Sequence, residues 1–344
     1  MASAPLPLSA TPIRFGTDGW RGILGVDITV ERLMPVAAAA AQELAHQAPD
    51  HLNNKTVVIG YDRRFLAPEL AEAIASSVRG VGLEPLLTST PVPTPACSWT
   101  VVQHQALGAL VITASHNPPE WLGLKIKGPF GGSVDGTFTA AVERRLDAGS
   151  INVPVAGELP RFDARSEHLE GLRTKLNLGA ISAGLRTMGL RVIVDPMHGS
   201  AAGCVSDLLG TDAEDLIAEI RSQRDPLFGG SPPEPLASHL QELIAAVQAS
   251  SRNGQPAVGL VFDGDGDRIA AVDEDGCFCS TQQLMPLLID HLAGARQLPG
   301  TVVKTVSGSD LMRLVAEDHG RKVMELPVGF KYIAAEMLAG EVLI

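Results

Sequence analysis

Apolar positions in this chain come in short blocks separated by polar turns. The block Leu107-Gly108-Ala109-Leu110-Val111-Ile112 runs into the polar, proline-stopped turn Thr113-Ala114-Ser115-His116-Asn117-Pro118. Such a block reads as a buried strand, and its carboxyl end is where open α/β sheets place reactive groups. Ser115 is therefore the first candidate for chemistry.

The same blocks predict a repeating strand-turn-helix-strand unit. Thr29 can cap an Ala-rich helix running to about Gln47. Lys55 to Gly60 then reads as a strand, followed by a helix from Ala67 to Arg79 and a strand from Leu83 to Thr88. Val192-Ile193-Val194 leads through Asp195-Pro196-Met197-His198-Gly199-Ser200 into a helix from about Ala201 to Leu209. Val302 to Val306 leads through Ser307-Gly308-Ser309 into a helix from Asp310 to His319 and a strand from Lys322 to Leu326. Three such units at wide intervals imply three similar α/β domains.

The Gly/Pro-punctuated stretch from Ala148 to Arg161 and a new helix from Gln282 to Ala293 place the cuts. The expected domains are residues 1–155, 156–280 and 281–344. Glu341-Val342-Leu343-Ile344 reads as the opening of an apolar strand at which the chain stops, so the third domain is expected to be incomplete.

Composition narrows the classes. Length, at 344 residues, exceeds one ordinary core, and 45% hydrophobic residues suffice to fill several. With 27 Lys+Arg against 39 Asp+Glu, the formal charge of −12 argues against a nucleic-acid surface or a polybasic membrane anchor. An anionic substrate would need a local basic pocket. Cys97, Cys204, Cys277 and Cys279 lack the spacings of a zinc site or a disulfide framework and read as reduced thiols. Met1 to Thr11 lacks the pattern of a secretory leader, and no apolar stretch approaches membrane-spanning length. A soluble cytoplasmic protein is the expectation.

Three further stretches can carry chemistry. Asp263-Gly264-Asp265-Gly266-Asp267-Arg268 follows a strand from Ala257 to Phe262, and its alternating aspartates can converge while the glycines bend the loop. Three carboxylates on one small loop repel unless a cation joins them, and all-oxygen ligation points to a hard ion such as Mg²⁺. A calcium EF-hand would use Asp263, Asp265, Asp267 and Glu274, but Arg268 stands where that loop needs glycine and the flanks read as strands. Arg268 beside a metal would meet a phosphate or shield an aspartate; the plain alternative is a charge-balancing ion pair. Leu122 to Gly128 alternates apolar and basic residues, which puts Lys125 and Lys127 on one strand face, either solvated or available for proton transfer or phosphate contact. Gly16-Thr17-Asp18-Gly19-Trp20-Arg21-Gly22 can cradle a phosphate or form an ordinary turn. His116 need not be the base of Ser115, because neighbours in an extended turn point to opposite sides.

Together these stretches resemble the α-D-phosphohexomutase family, the phosphoglucomutases and phosphomannomutases. The glycine-rich motif at Gly16–Gly22, the serine turn at Thr113–Pro118 and the aspartate loop at Asp263–Arg268 occur in family order, and Pro327-Val328-Gly329-Phe330-Lys331-Tyr332-Ile333 resembles the segment before the family's sugar-recognition loop. The resemblance implies an isomerase of carbohydrate metabolism that interconverts hexose 1-phosphate and hexose 6-phosphate through a phosphoserine and a hexose 1,6-bisphosphate intermediate. Ser115 would carry the phosphoryl group, and Asp263, Asp265 and Asp267 would hold Mg²⁺ against it. Lys125 matches the general acid/base. Arg21, His116 and Arg268 would support the phosphoserine and substrate, while Lys304 and Lys331 would supply further basic contacts. The family continues with a Gly-Glu-x-Ser-Gly sugar loop and a fourth domain, and neither is in this sequence. The expectation is thus a complete donor half and a missing acceptor half, which impairs positioning. Two other outcomes follow from that gap: a non-catalytic module that binds Mg²⁺ and phosphosugars or pairs with other subunits, and a simple phosphatase. The resemblance leaves the oligomeric state open.

Overall fold

In a computed structural model that describes residues 10–16, 18–49, 51–52, 54–149 and 154–344, three α/β units follow one another. Thr17 of the glycine-rich motif, residues 150–153 of the first linker and the side chain of Lys331 lie outside the described residues.

The first unit runs β1 (Trp20–Ile23), α1 (Val30–His46), β2 (Thr56–Tyr61), α2 (Ala67–Gly80), β3 (Glu84–Thr88), α3 (Thr94–Gln103), β4 (Gly108–Ile112), β5 (Trp121–Lys127), α4 (Gly136–Asp147) and β6 (Arg161–Phe162). Thr29 caps α1 by accepting the Arg32 N–H, and the helix buries its alanine run from Ala37 to Ala41. The six strands are ordered β1-β5-β4-β2-β3-β6. β4 is parallel to β2 and antiparallel to β5, and every one of its residues is buried. Leu110 and Ile112 join Val57 and Ile59 in the core under α1 and α2, while Ala109 and Val111 join Val58 in a second core under α3. Helices on both faces explain why the strand reads as a continuous apolar block. Each of its large side chains contributes roughly 1.5–3 kcal/mol of burial. The sheet reaches past residue 155, because β6 adds in parallel to β3.

The second unit runs α5 (Ala164–Lys175), α6 (Leu178–Met188), β7 (Arg191–Asp195), α7 (Cys204–Leu209), β8 (Ile217–Glu219), α8 (Gln241–Arg252), β9 (Ala257–Phe262), β10 (Ile269–Val272) and β11 (Phe278–Cys279), with sheet order β11-β10-β9-β7-β8. α7 starts at Cys204 instead of about Ala201, because Met197 and His198 take left-handed φ values of 49° and 61° and delay the first helical turn. The third unit runs α9 (Thr281–Ile289), β12 (Val302–Thr305), α10 (Asp310–Asp318), β13 (Val323–Leu326) and α11 (Phe330–Ala339). A wider π-type turn from Asp290 to Ala295 continues α9, and Gly294 there leaves room for the His319 ring.

Each unit contains the expected crossover. β2 and β3, β7 and β8, and β12 and β13 are parallel pairs, each joined through a helix. Val342 to Ile344 lies along β12: Leu343 donates to the Thr301 carbonyl and Val303 to the Ile344 carbonyl, both at 2.9 Å. Among the described residues no helix is long and apolar enough to cross a membrane.

Candidate active site

β4 delivers the chain to Thr113, and the turn that follows is held from below. The Thr113 hydroxyl donates to buried Asp62 at 2.7 Å and accepts the Ser115 N–H at 2.8 Å. Ser115 itself takes φ = 52°, a left-handed conformation unusual for a residue with a Cβ. That angle corrects the expectation for His116. The turn is not extended, so the neighbouring side chains converge and Ser115 Oγ lies 3.3 Å from His116 Nδ1.

The aspartate loop arrives from the second unit as the connection between the antiparallel strands β9 and β10. Asp263 folds it: one carboxylate oxygen accepts the Asp267 and Arg268 N–H groups at 3.0 and 3.1 Å, and the other accepts the Ser115 hydroxyl at 2.8 Å. Gly264 is required by the contact, since a Cβ there would stand 2.6 Å from the Ser115 carbonyl oxygen. Asp265 docks at the start of α3, where the Thr94 N–H reaches its carbonyl at 2.8 Å and the Thr94 hydroxyl its carboxylate at 2.6 Å. Serine turn and aspartate loop, 148 residues apart, therefore form one buried cluster.

Carboxylate oxygens of Asp263, Asp265 and Asp267 lie within 4.8 Å of one another. Asp265 is fully buried, and its Oδ1 has no hydrogen-bond partner. A buried orphan acceptor is costly unless something fills it, and an all-oxygen set suits a hard divalent cation. These residues can hold a metal. Burial, followed by the neighbouring charges of Asp265 and Asp267, raises the Asp263 carboxyl well above its ordinary range. Burial also opposes ionisation of Asp265, but the charge of Lys125 and hydrogen bonds from Lys125 and Thr94 outweigh it, and that carboxyl titrates below its usual range.

Lys125 and Lys127 share a face of β5, as their spacing requires, yet that face is inside the protein. Lys125 is 1% exposed, and its Nζ sits 2.9 Å from Asp18, 2.8 Å from Asp265 and 2.5 Å from Asp267. Burial opposes its charge, but the three carboxylates overcome that cost and raise its pKa, so it is an ammonium throughout the neutral range. Lys127 donates to Ser133 at 2.9 Å. Burial shifts it the other way, downward, because Asp18 alone lies close, at 3.9 Å. Asp18 was not among the sequence candidates, although the glycine-rich motif contains it; it bridges both lysines.

Arg21 on β1 donates to the Asn117 side chain at 2.8 Å and lies 3.6 Å from Asp18, so it borders the cluster. The exposed Arg268 reaches it through its backbone N–H, and its charge helps depress His116. Lys304 is elsewhere: it is buried in the third unit, ion-paired with Glu325 on β13 and donating to the Gly308 carbonyl at 3.2 Å. Arg64 is the residue that sequence reasoning missed altogether; it donates to four backbone carbonyls in and beside the serine turn.

Burial, then the charges of Arg268, Arg21 and Lys125, lowers His116 to about 4. Its ring is thus neutral at physiological pH and can accept a proton at one nitrogen. Between pH 6.5 and about 4 the unfolded chain binds a proton that the folded one refuses, so this residue's contribution to stability is present above pH 6.5 and declines below it. An NMR titration should show the His116 ring unprotonated at pH 5.5; a midpoint near 6.5 would contradict this environment.

The α/β units and their shared serine–aspartate cluster define a class. The phosphoglucomutase/phosphomannomutase alpha/beta/alpha domain I model matches residues 12–152, domain II matches 166–276 and domain III matches 280–344. The chain belongs to the α-D-phosphohexomutase family. It is 31% identical over 335 residues to the phosphoglucosamine mutase of Acidothermus cellulolyticus, covering 97% of this chain and 70% of that one. It is 32% identical over 344 residues to the phosphoglucosamine mutase of Synechococcus sp. strain RCC307, covering 98% and 70%. A crystal structure from Thermus thermophilus, assigned as a phosphomannomutase, superposes with a TM-score of 0.85 at 32% identity over 97% of this chain and 73% of that one.

Proposed function

We propose that this chain is a phosphosugar mutase that moves a phosphoryl group between Ser115 and the 1- and 6-hydroxyls of a hexose phosphate through a bisphosphate intermediate. The observation that carries the reading is the Ser115 Oγ bonded to Asp263 beside an orphaned Asp265 oxygen, across the seam of two units. Mg²⁺ held by Asp263, Asp265 and Asp267 would supply the charge neutralisation on which phosphoryl transfer depends.

The chain's own groups supply the rest. In the donating step a sugar hydroxyl oxygen bonds to phosphorus as the P–Oγ bond breaks; the departing Ser115 Oγ takes a proton from Lys125 Nζ, and the attacking hydroxyl gives its own proton back to that nitrogen. Lys125, protonated and flanked by Asp18, Asp265 and Asp267, holds a proton at Nζ that can pass to the departing oxygen. Neutral His116 stands within reach of Ser115 Oγ and can take its proton when the serine is phosphorylated again. Arg21 and Arg268 line the approach as fixed positive charges that suit an anionic substrate. The first unit, whose sheet extends through β6 at Phe162, provides Ser115 and Lys125; the second, cut near 280, provides the metal loop. Lys331 belongs to the third unit as a further basic contact to the sugar phosphate, whereas Lys304 is committed to Glu325 and the Gly308 carbonyl.

A coupled assay tests the proposal. Hexose 1-phosphate, with Mg²⁺ and a trace of hexose 1,6-bisphosphate, should yield hexose 6-phosphate, and the yield should vanish with EDTA. Binding without turnover would instead favour a non-catalytic module, and release of free phosphate without isomerisation a phosphatase.

A further inference from the structure

Arg64 follows β2 by three residues, is fully shielded from solvent and uses every donor it has. Its Nε–H donates to Asp62 at 3.2 Å; Nη1 donates to the Pro118 and Trp121 carbonyls at 2.8 and 3.0 Å; Nη2 donates to the Ser115 and Asn117 carbonyls at 2.8 and 2.7 Å. A guanidinium has five N–H groups in a rigid fork, and here all five are satisfied. Four of the acceptors are carbonyls of the segment that begins at the left-handed Ser115. That turn faces its carbonyls inward, away from the ladder of the sheet, and a buried carbonyl without a donor is costly.

The second unit closes over the same residue. The Phe228 ring stands 4.9 Å from the Arg64 guanidinium carbon, Arg224 donates to the Arg63 and Arg64 carbonyls at 3.2 and 3.0 Å, and Arg63 donates back to the Ser222 carbonyl at 2.6 Å. Arg221 and Phe228, at either end of this loop, both adopt left-handed φ, 48° and 50°, so the loop is shaped for the contact rather than draped across it. Arg221 is itself anchored to buried Asp195 at the end of β7, its Nε donating at 3.0 Å.

Resting on the mutase reading above, we propose that Arg64 is the positioning residue that holds Ser115 in its reactive geometry, and that Arg224 and Phe228 of the second unit latch it there. Arg64 spends all its donors on Asp62 and on backbone carbonyls and none on the serine hydroxyl; it acts through the backbone. Lysine keeps the charge but offers three donors from one point and cannot span carbonyls arranged around a planar fork. The latch also couples the units: the aspartate loop and the residues that latch Arg64 come from the same second-unit scaffold, so Ser115 is set for transfer only when that unit is docked.

The test uses the full chain with Arg64→Lys and Arg224→Ala, the latter at an exposed position and tolerable to the fold even if the former is not. Three quantities are measured: amide exchange across residues 113–122 against β9, the rate at which hexose 1,6-bisphosphate labels Ser115, and Mg²⁺ affinity by calorimetry. Arg64→Lys should speed exchange of the turn at least about tenfold with β9 unchanged, slow labelling about 100-fold, the cost of misplacing a reacting group by about 1 Å, and leave Mg²⁺ affinity within about threefold. Arg224→Ala should move exchange and labelling in the same direction by a smaller factor. Wild-type exchange of the turn in Arg64→Lys, faster exchange with unaltered labelling, or a joint collapse of labelling, Mg²⁺ affinity and melting temperature would each overturn the proposal. If Arg64→Lys does not fold, wild-type exchange and labelling in Arg224→Ala overturn it. Should wild-type protein take no label, the mutase reading fails, and exchange of the turn alone decides whether Arg64 clamps it.

Discussion

Ser115→Ala should abolish mutase turnover, lowering it by at least about 10⁴-fold, because loss of a covalent nucleophile leaves no intermediate to transfer. Structural effects should be slight. The serine hydroxyl contributes the bond to Asp263 and the contact with His116, while the turn is held by backbone groups: the Ser115 N–H on Thr113 and the Ser115 carbonyl on Arg64. Alanine retains both backbone bonds. A variant that melts within a few degrees of wild type yet is inactive fits the assignment; a folded variant with wild-type turnover removes Ser115 from the chemistry.

Lys125→Met carries the second large effect and separates two roles of one side chain. The ammonium is buried against three carboxylates, and its removal leaves Asp18, Asp265 and Asp267 repelling one another; breaking a buried pair costs roughly 3–5 kcal/mol, at the lower end here because Asp18 and Asp267 are partly exposed. The urea midpoint should therefore drop in EDTA and recover largely when saturating Mg²⁺ supplies the missing positive charge. Turnover should not recover, remaining about 10²–10⁴-fold down, the usual contribution of a positioned proton donor. Recovery of both by Mg²⁺ would make Lys125 a charge-balancing group alone. The pH dependence follows the direction of the shifts. Lys125, raised in the folded state, stabilises fully below the ordinary lysine range and loses that contribution only above it. Asp265, lowered, stabilises above the ordinary carboxylate range and loses its contribution as pH falls below it.

What could be read from sequence divides from what could not by range of interaction. The block from Leu107 to Ile112, the alternation at Lys125 and Lys127, and the spaced aspartates at 263, 265 and 267 are local patterns, and the structure places all of them as strand, strand face and converging loop. The parallel crossovers of the first and third units were likewise legible with both strands, whereas in the second only the strand and helix were, the three-residue return strand β8 being too short to show a period. Arg64 lies 51 to 57 residues from the carbonyls it holds, and nothing in its neighbours Asp62 and Arg63 distinguishes it from a polar turn. Asp18 acquires meaning only when β1 and β5 pair and set it beside both lysines. That His116 turns toward Ser115 Oγ was not legible, because its direction depends on one dihedral angle at Ser115, and that angle is stabilised by the distant Arg64. The edge strand β6 escaped because two residues are too few to show a period.

One measurement tests the phosphoryl-transfer reading most directly. The chain is incubated with Mg²⁺ and hexose 1,6-bisphosphate, digested, and its peptides are mapped by mass spectrometry. One added phosphoryl group on Ser115, lost when hexose phosphate is supplied as acceptor, is the expected result. An unmodified Ser115, or a label that settles on another residue, would contradict it.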